Sequence, residues 1–197
     1  MAKWPNSVRS TNRLGVYNNI QGRWAIIFRR GLSDTNRLLR HHGVRIEFRE
    51  VTDQNTANIV IASANGMATV QHGTQTRQIP IDGSRLHGRT YKVAPQNIIE
   101  KAFVVLPASP LLNAPSGQRP TGARVMRAIM VHEYIHSIGL GDEDHSSDDV
   151  FIGYPDYLPG GNPEQDRLGV MRGGRNHWFP PYILSGPTVT KIQRAWS

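Results

Sequence analysis

The chain has 197 residues, a net charge of +8 and no cysteine. Its length favours one compact domain, and an apolar content of 38% is enough for a core without cross-links. The missing cysteines exclude disulfide frameworks, thiol nucleophiles and thiolate metal sites, so any metal must be held by His, Asp or Glu.

The basic residues are mostly arginines scattered through the first half, as at Arg29, Arg30, Arg37, Arg40, Arg45 and Arg49. With no block tail and no aromatic–basic repeat, they read as a basic protein surface rather than a nucleic-acid site. No stretch is long and apolar enough to predict a membrane span, and residues 1–7 contain no apolar core of a signal peptide. A monomer without a membrane partner is the expectation. The compartment stays open, an exported setting being the first choice.

Residues 1–22 are polar and read as an extended or loosely ordered N-terminal extension ahead of a domain over residues 23–197. The apolar run Arg23 to Arg29 (RWAIIFR) reads as a first strand. Ser33 or Asp34 is expected to cap a short helix through Leu38, Leu39 and His41, which Gly43 closes. Val44 to Val51 alternates apolar and polar residues, the pattern of a strand with one buried face. Asp53 to Thr56 is turn chemistry, and Asn58 to Ala62 reads as a more fully buried strand.

Short strands are expected around residues 79–81 and 90–93, and Lys101 to Pro107 (KAFVVLP) as another. The Pro- and Gly-rich stretch from Pro107 to Gly122 reads as a long surface loop. Ala123 to Leu140 is the strongest helical pattern, with Val125, Ile129, Met130 and Ile135 on its apolar side and Gly139 ending it. An irregular stretch follows to residue 187, and Thr188 to Trp196 reads as a closing helix. No internal repeat is present.

Within that strongest helix stands His132-Glu133-Tyr134-Ile135-His136, an HExxH pattern. Residues four apart share a helix face, so both imidazoles can reach one ion. Glu133, one position round, can hold a water without being a ligand. Zinc with three protein ligands keeps a position for water and brings that water's pKa to about 7, whereupon Glu133 serves as general base.

The continuation His136-Ser-Ile-Gly139-Leu140-Gly141-Asp142 resembles the metzincin clan, whose pattern is HExxHxxGxx followed by His or Asp. The paired strands of Val44–Ala62 and the tail ILSGPTVTKIQRAW are similar to those of matrixins. By register the third ligand is Asp142, as in snapalysin-like members. Asp144-His145-Ser146-Ser147 resembles the DHSS around the third histidine of matrixins, displaced by three residues, so His145 stands as the alternative. The resemblance implies a methionine turn, for which Met171 in Leu168-Gly-Val-Met171-Arg-Gly-Gly is the candidate.

The same resemblance implies a single catalytic domain of the α/β (α+β) class. It would hold a mixed twisted sheet, an active-site helix, an upper part over residues 23–140 and a small irregular lower part over residues 141–197. The implied activity is zinc-dependent hydrolysis of internal peptide bonds, with a protein or peptide substrate lying extended along an edge strand. The acidic run Asp142–Asp149 reads as a solvated loop; calcium is the alternative, but the run lacks the ordered spacing of an EF-hand loop. Glu164 sits in a turn-like setting and is a poor candidate for a thermolysin-type ligand.

Tyr154, Tyr157 and Tyr182 are candidates to assist an oxyanion, while Gly173 stands where some metzincins carry a tyrosine. His41, His42, His72, His87 and His177 show no ligand spacing among themselves. Two other readings remain open at this stage. One is a zinc-bearing binding or structural protein whose basic face meets nucleic acid or an acidic polymer, and the other is a narrowly targeted protease.

Overall fold

A computed structural model describes residues 1–145, 149, 157–168, 170–171, 175–176 and 182–197. In chain order its elements are α1 (Asn6–Arg9), β1 (Arg13–Asn19), α2 (Gly22–His41), β2 (Glu47–Val51), β3 (Ile59–Ala64), β4 (Gly66–His72) and β5 (Gln75–Ile81). They continue with β6 (Arg89–Val93), β7 (Lys101–Pro107), β8 (Leu111–Ala114), β9 (Gly117–Pro120) and α3 (Ala123–Ser137). The two-residue strands β10 (Tyr157–Leu158), β11 (Arg167–Leu168), β12 (Val170–Met171) and β13 (Arg175–Asn176) precede α4 (Gly186–Trp196).

The main sheet has five strands in the order β2-β1-β3-β7-β6. The first four run parallel and β6 is antiparallel to β7 at the edge. This is the mixed sheet of an α/β protein, as the sequence leads one to expect.

Strand periodicity explains how the layers stack. Ile59, Ile61, Ala102, Val104 and Leu106 face the large cluster formed with the helices, through Trp24, Phe28, Met130, Val131 and Tyr134. Their alternates Val60, Phe103 and Val105 face a second cluster with Ala68, Ile79 and Ile81 of the β4–β5 hairpin. With both faces covered, every residue of β7 is buried, which is why KAFVVLP reads as one continuous apolar run.

Residues 1–22 are no loose extension. They supply β1, an inner strand between β2 and β3, and Trp4, Leu14 and Val16 lie in the core. The strand escapes notice because Arg13, Asn18 and Asn19 dilute its apolar residues. Asn58 Oδ1 also accepts the Gly15 N–H at 2.8 Å, a contact that local pattern cannot reveal.

RWAIIFR is no strand either. It opens α2, whose buried positions Trp24, Ile27, Phe28, Gly31, Leu32, Thr35, Leu38 and Leu39 follow the helical period. Ser33 and Asp34 therefore lie inside the helix, although Gly43 does close it. At φ 68° Gly43 donates to Arg40 O at 3.0 Å while Val44 donates to Leu39 O at 2.9 Å, the paired bonds of a Schellman ending. The stretch from Pro107 to Gly122 is likewise not an open loop, since it holds the β8–β9 hairpin.

The charge is unevenly placed. Residues 1–51 carry ten of the 23 Lys and Arg residues but three of the 15 Asp and Glu residues. On α2, Arg23, Arg29, Arg30, Arg37 and Arg40 are all exposed, whereas the only carboxylate, Asp34, is buried. At 100° per residue these arginines, with the exposed Ile26, fall in one outer wedge of the helix.

The two neighbouring isoleucines of α2 test this assignment. Ile26 is 80% exposed and Ile27 is 4% exposed. Ile27→Ala is expected to cost about 2–5 kcal/mol of unfolding free energy in urea, and Ile26→Ala at most about 0.5 kcal/mol. Equal costs would contradict the helix.

Candidate metal centre

Helix α3 is buried at 11 of its 15 positions, including Glu133 and His136, so both of its ends need partners from elsewhere. At the N-terminus, fully buried Asp166 forms an ion pair with Arg119 and accepts from the Gly122 N–H at 3.2 Å. Glu164 Oε1 accepts from the Ala123 N–H at 3.4 Å. Both carboxylates favour the positive end of the helix dipole. Glu164 is thus at the far end of α3 from His132, nine residues or about 14 Å along the axis.

The last carbonyls are capped by residues remote in sequence. Trp4 Nε1 donates to Ser137 O at 3.0 Å and Trp196 Nε1 to Ile138 O at 3.0 Å. From β6, Lys92 Nζ reaches Leu140 O, and His136 O at 3.4 Å. Gly139 turns the chain at φ 126°, and a Cβ there would stand 2.5 Å from Ala2 O.

Three imidazoles converge at this end. Ligand-capable nitrogens of His132, His136 and His145 all lie within 4.8 Å of one another, and the Nε2 atoms of His132 and His136 are 2.9 Å apart. His136 Nδ1 lies 3.3 Å from Leu140 O. That carbonyl can only accept, so the proton belongs on Nδ1 and the Nε2 lone pair points to the other rings. Asp142, first by register, has a side chain 99% exposed, with Oδ1 3.6 Å from His136 Nε2.

Burial and its like-charged neighbour His132 push His136 down to about 3, so it stays neutral and available as a ligand. His145 is lowered too, first by burial and then by His132. Imidazole nitrogens gathered around one point are a donor set that suits zinc and related divalent metals.

Glu133 is 3% exposed. Thr90 Oγ1 lies 2.7 Å from its Oε2 and 3.0 Å from its main-chain oxygen. Burial pushes the Glu133 carboxyl up to about 7, against the Thr90 hydrogen bond, which favours the anion. Gly88 also donates a backbone hydrogen bond to it, and a Cβ on Gly88 would come within 2.6 Å of Glu133 Cγ.

Thr90, Gly88 and Lys92 escape sequence reasoning because they belong to the edge strand β6 and its approach, with no motif of their own. His87 escapes it as well. Its pKa is lowered by burial and then by His132, which places it beside the triad.

The remaining candidates fall as follows. Tyr157 is near enough to Glu133 that, after burial, the carboxylate's charge raises its pKa. Tyr182 belongs to the α2–α3 core beside Asp34 and Arg127. His42 Nε2 accepts from the Leu184 N–H at 3.0 Å, and His72 Nε2 lies 3.1 Å from Glu100 Oε2. Asp149 is buried and accepts from Thr188 Oγ1 at 2.5 Å, anchoring the start of α4. Met171 pairs with Arg175 across the β12–β13 hairpin, but its side chain, like Tyr154, Gly173 and His177, lies outside the described residues.

No family profile and no curated protein matches this chain in sequence. Among solved structures it is similar to that of myroilysin, with a TM-score of 0.43 and 13% identity over 99% of this chain and 95% of that one. The case for function therefore rests on the geometry of the site itself.

The two shifted groups push metal-free stability in opposite directions. His136 is lowered, so the unfolded chain takes up its proton first and stability drains away from pH 6.5 down to about 3. Glu133 is raised, so the folded chain holds the extra proton and stability rises from pH 7 down to 4.5. Urea midpoints of the metal-free chain and of His136→Gln isolate the first effect. The wild type is expected to lose ground to the variant steadily from pH 6.5 to 3, and a constant difference would contradict a buried neutral His136.

Proposed function

We propose that the chain is a zinc-dependent endopeptidase in which His132, His136 and His145 hold the metal and Glu133 is the general base. The observation that supports this reading best is the convergence of three imidazoles beside a buried carboxylate that Thr90 orients. His145 is preferred over Asp142 because its ring joins the other two while the Asp142 side chain stays in solvent. Zinc bound there supplies a Lewis acid that polarises a peptide carbonyl and acidifies water.

The chain's own residues then account for the proton's path. Thr90 and Gly88 orient the Glu133 carboxylate, which takes a proton from the attacking water and hands it to the departing nitrogen. A carboxyl near 7 is matched to this exchange at neutral pH, and a cation on the neighbouring imidazoles would favour its ionised form. Strand β6 runs beside α3 and, among the described strands, pairs in the main sheet on one side only, which suits it to take an extended peptide on the other.

The test is digestion of an unfolded protein by the zinc-loaded chain beside Glu133→Gln. Loss of rate by about 10²- to 10⁴-fold at equal zinc content is expected. No cleavage by either, with zinc held by both, would overturn a general peptidase and put the zinc-bearing binding protein or a narrowly targeted protease ahead. Zinc affinity separates the third-ligand candidates. His145→Ala is expected to weaken binding far more than Asp142→Ala, and the reverse order would return Asp142 to that position.

One observation favours a second reading. The arginine wedge of α2 would suit a zinc-bearing protein that binds nucleic acid or another acidic polymer. Such binding would fall steeply with salt, and Arg30→Ala/Arg37→Ala would reduce the slope. Zinc retention with steep salt-dependent DNA binding and no proteolysis would put this reading first.

A further inference from the structure

The HExxHxxGxx register leads to Asp142, yet the imidazole that joins the pair is His145, three residues later. A turn of three acidic residues, Asp142–Asp144, fills the gap. Such a turn concentrates negative charge, and with residues 142 and 143 exposed it buries little to hold itself in place. Something must fix it if His145 is to meet His132 and His136.

Internal bonding closes the turn but does not attach it to the body of the protein. Asp144 Oδ2 accepts from the Gly141 N–H at 2.8 Å, and Asp144 N donates to Gly141 O at 3.1 Å. Among the described residues, two lysines from distant parts of the chain hold the turn and the carbonyls just ahead of it. Lys92, on the edge strand β6, reaches Leu140 O and His136 O just ahead of the turn, and the carboxylates of Asp144, Glu143, Asp142 and Glu133 favour its charge. Lys191, on α4, lies 3.4 Å from Asp144 Oδ1, and its Nζ donates to Glu143 O at 3.4 Å.

We propose that Lys92 and Lys191 are positioning residues that clamp the Asp142–Asp144 turn and so set His145 against His132 and His136. Lys92 has a second effect through Leu140 O, the carbonyl that His136 Nδ1 also faces, because holding that oxygen holds the ring's orientation. Neither lysine touches the substrate in this scheme. They act on the metal through its ligands, and the inference rests on the metal reading given above.

Five of the chain's ionisable side chains come together here for a physical reason. Lys92 is half-buried, and its ammonium is tolerated there because carbonyls accept from it and the acidic turn favours its charge. The acidic turn in its turn is held without self-repulsion only because two cations flank it. A purely structural cap on α3 would need the carbonyl contacts of Lys92 but not the contacts of Lys191 with Glu143 and Asp144.

The experiment uses the full chain and zinc alone. Zinc affinity is measured by competition with a chelator, the ligand field by the visible absorption of the cobalt(II)-substituted protein, and fold stability by melting in EDTA. Lys92→Met is expected to weaken zinc about 10- to 100-fold and to alter the cobalt spectrum. Lys191→Met should weaken zinc less, as its side chain is 40% exposed, and Lys191→Arg should restore it.

Unchanged zinc affinity and cobalt spectrum with a lowered metal-free melting point would overturn the clamp and leave the lysines as fold stabilisers. If Lys92→Met does not fold, the Lys191 pair of variants decides alone by the same criterion. A wild-type chain that binds no zinc refutes the metal reading itself, and this inference with it. That outcome is distinct from a wild type that binds zinc and variants that bind it equally well.

Discussion

Everything at the centre follows from burying the C-terminal half of α3. A helix that carries two imidazoles and a carboxylate within five residues, and is then packed on nearly all sides, leaves polar side chains and end carbonyls without water. An uncompensated carboxylate or carbonyl in that position costs of the order of 1–3 kcal/mol, and more when charged. The molecule answers each of these needs with a side chain brought from afar. Trp4, Trp196 and Lys92 take the last carbonyls, Thr90 and Gly88 take the Glu133 carboxylate, and Leu140 O takes the proton side of His136.

These partners explain why the rest of the chain is arranged as it is. The N-terminal segment reaches the end of α3 through Trp4 and then enters the sheet as β1. The closing helix α4 returns to the same place through Trp196 and Lys191. The edge strand β6 presents Thr90 and Lys92 on one face, two residues apart, against residues one helical turn apart on α3. Strand and helix spacings are close enough, about 6.6 Å for two strand residues against about 4.5 Å for three helix residues, for one strand to serve both positions.

The same environment sets the chemistry. Burial is the first cause that pulls both groups to their neutral forms, His136 by losing its proton and Glu133 by keeping one. A neutral imidazole can act as a ligand, and a carboxyl near 7 can both accept and return a proton. The charge surplus of the first 51 residues is carried largely by the outer wedge of α2, a separate feature from this buried cluster.

Much of the architecture was legible locally. The alternation of Val44 to Val51, the unbroken apolar run of β7, and the periodic face of α3 with Gly139 at its end each follow from neighbours along the chain. HExxH likewise places His132, Glu133 and His136 on one helix by spacing alone. What the sequence by itself could not determine is decided by contacts between distant residues. Polar β1 is a strand because two parallel neighbours pair with it, and RWAIIFR is a helix because its apolar side packs on α3. His145 joins the imidazole pair, and Thr90, Gly88 and Lys92 join Glu133 and His136, only once sheet and helix are folded together. No local periodicity records those partners, since hydrogen bonds and ion pairs between residues some 40 to 130 positions apart leave no mark on the pattern of either segment.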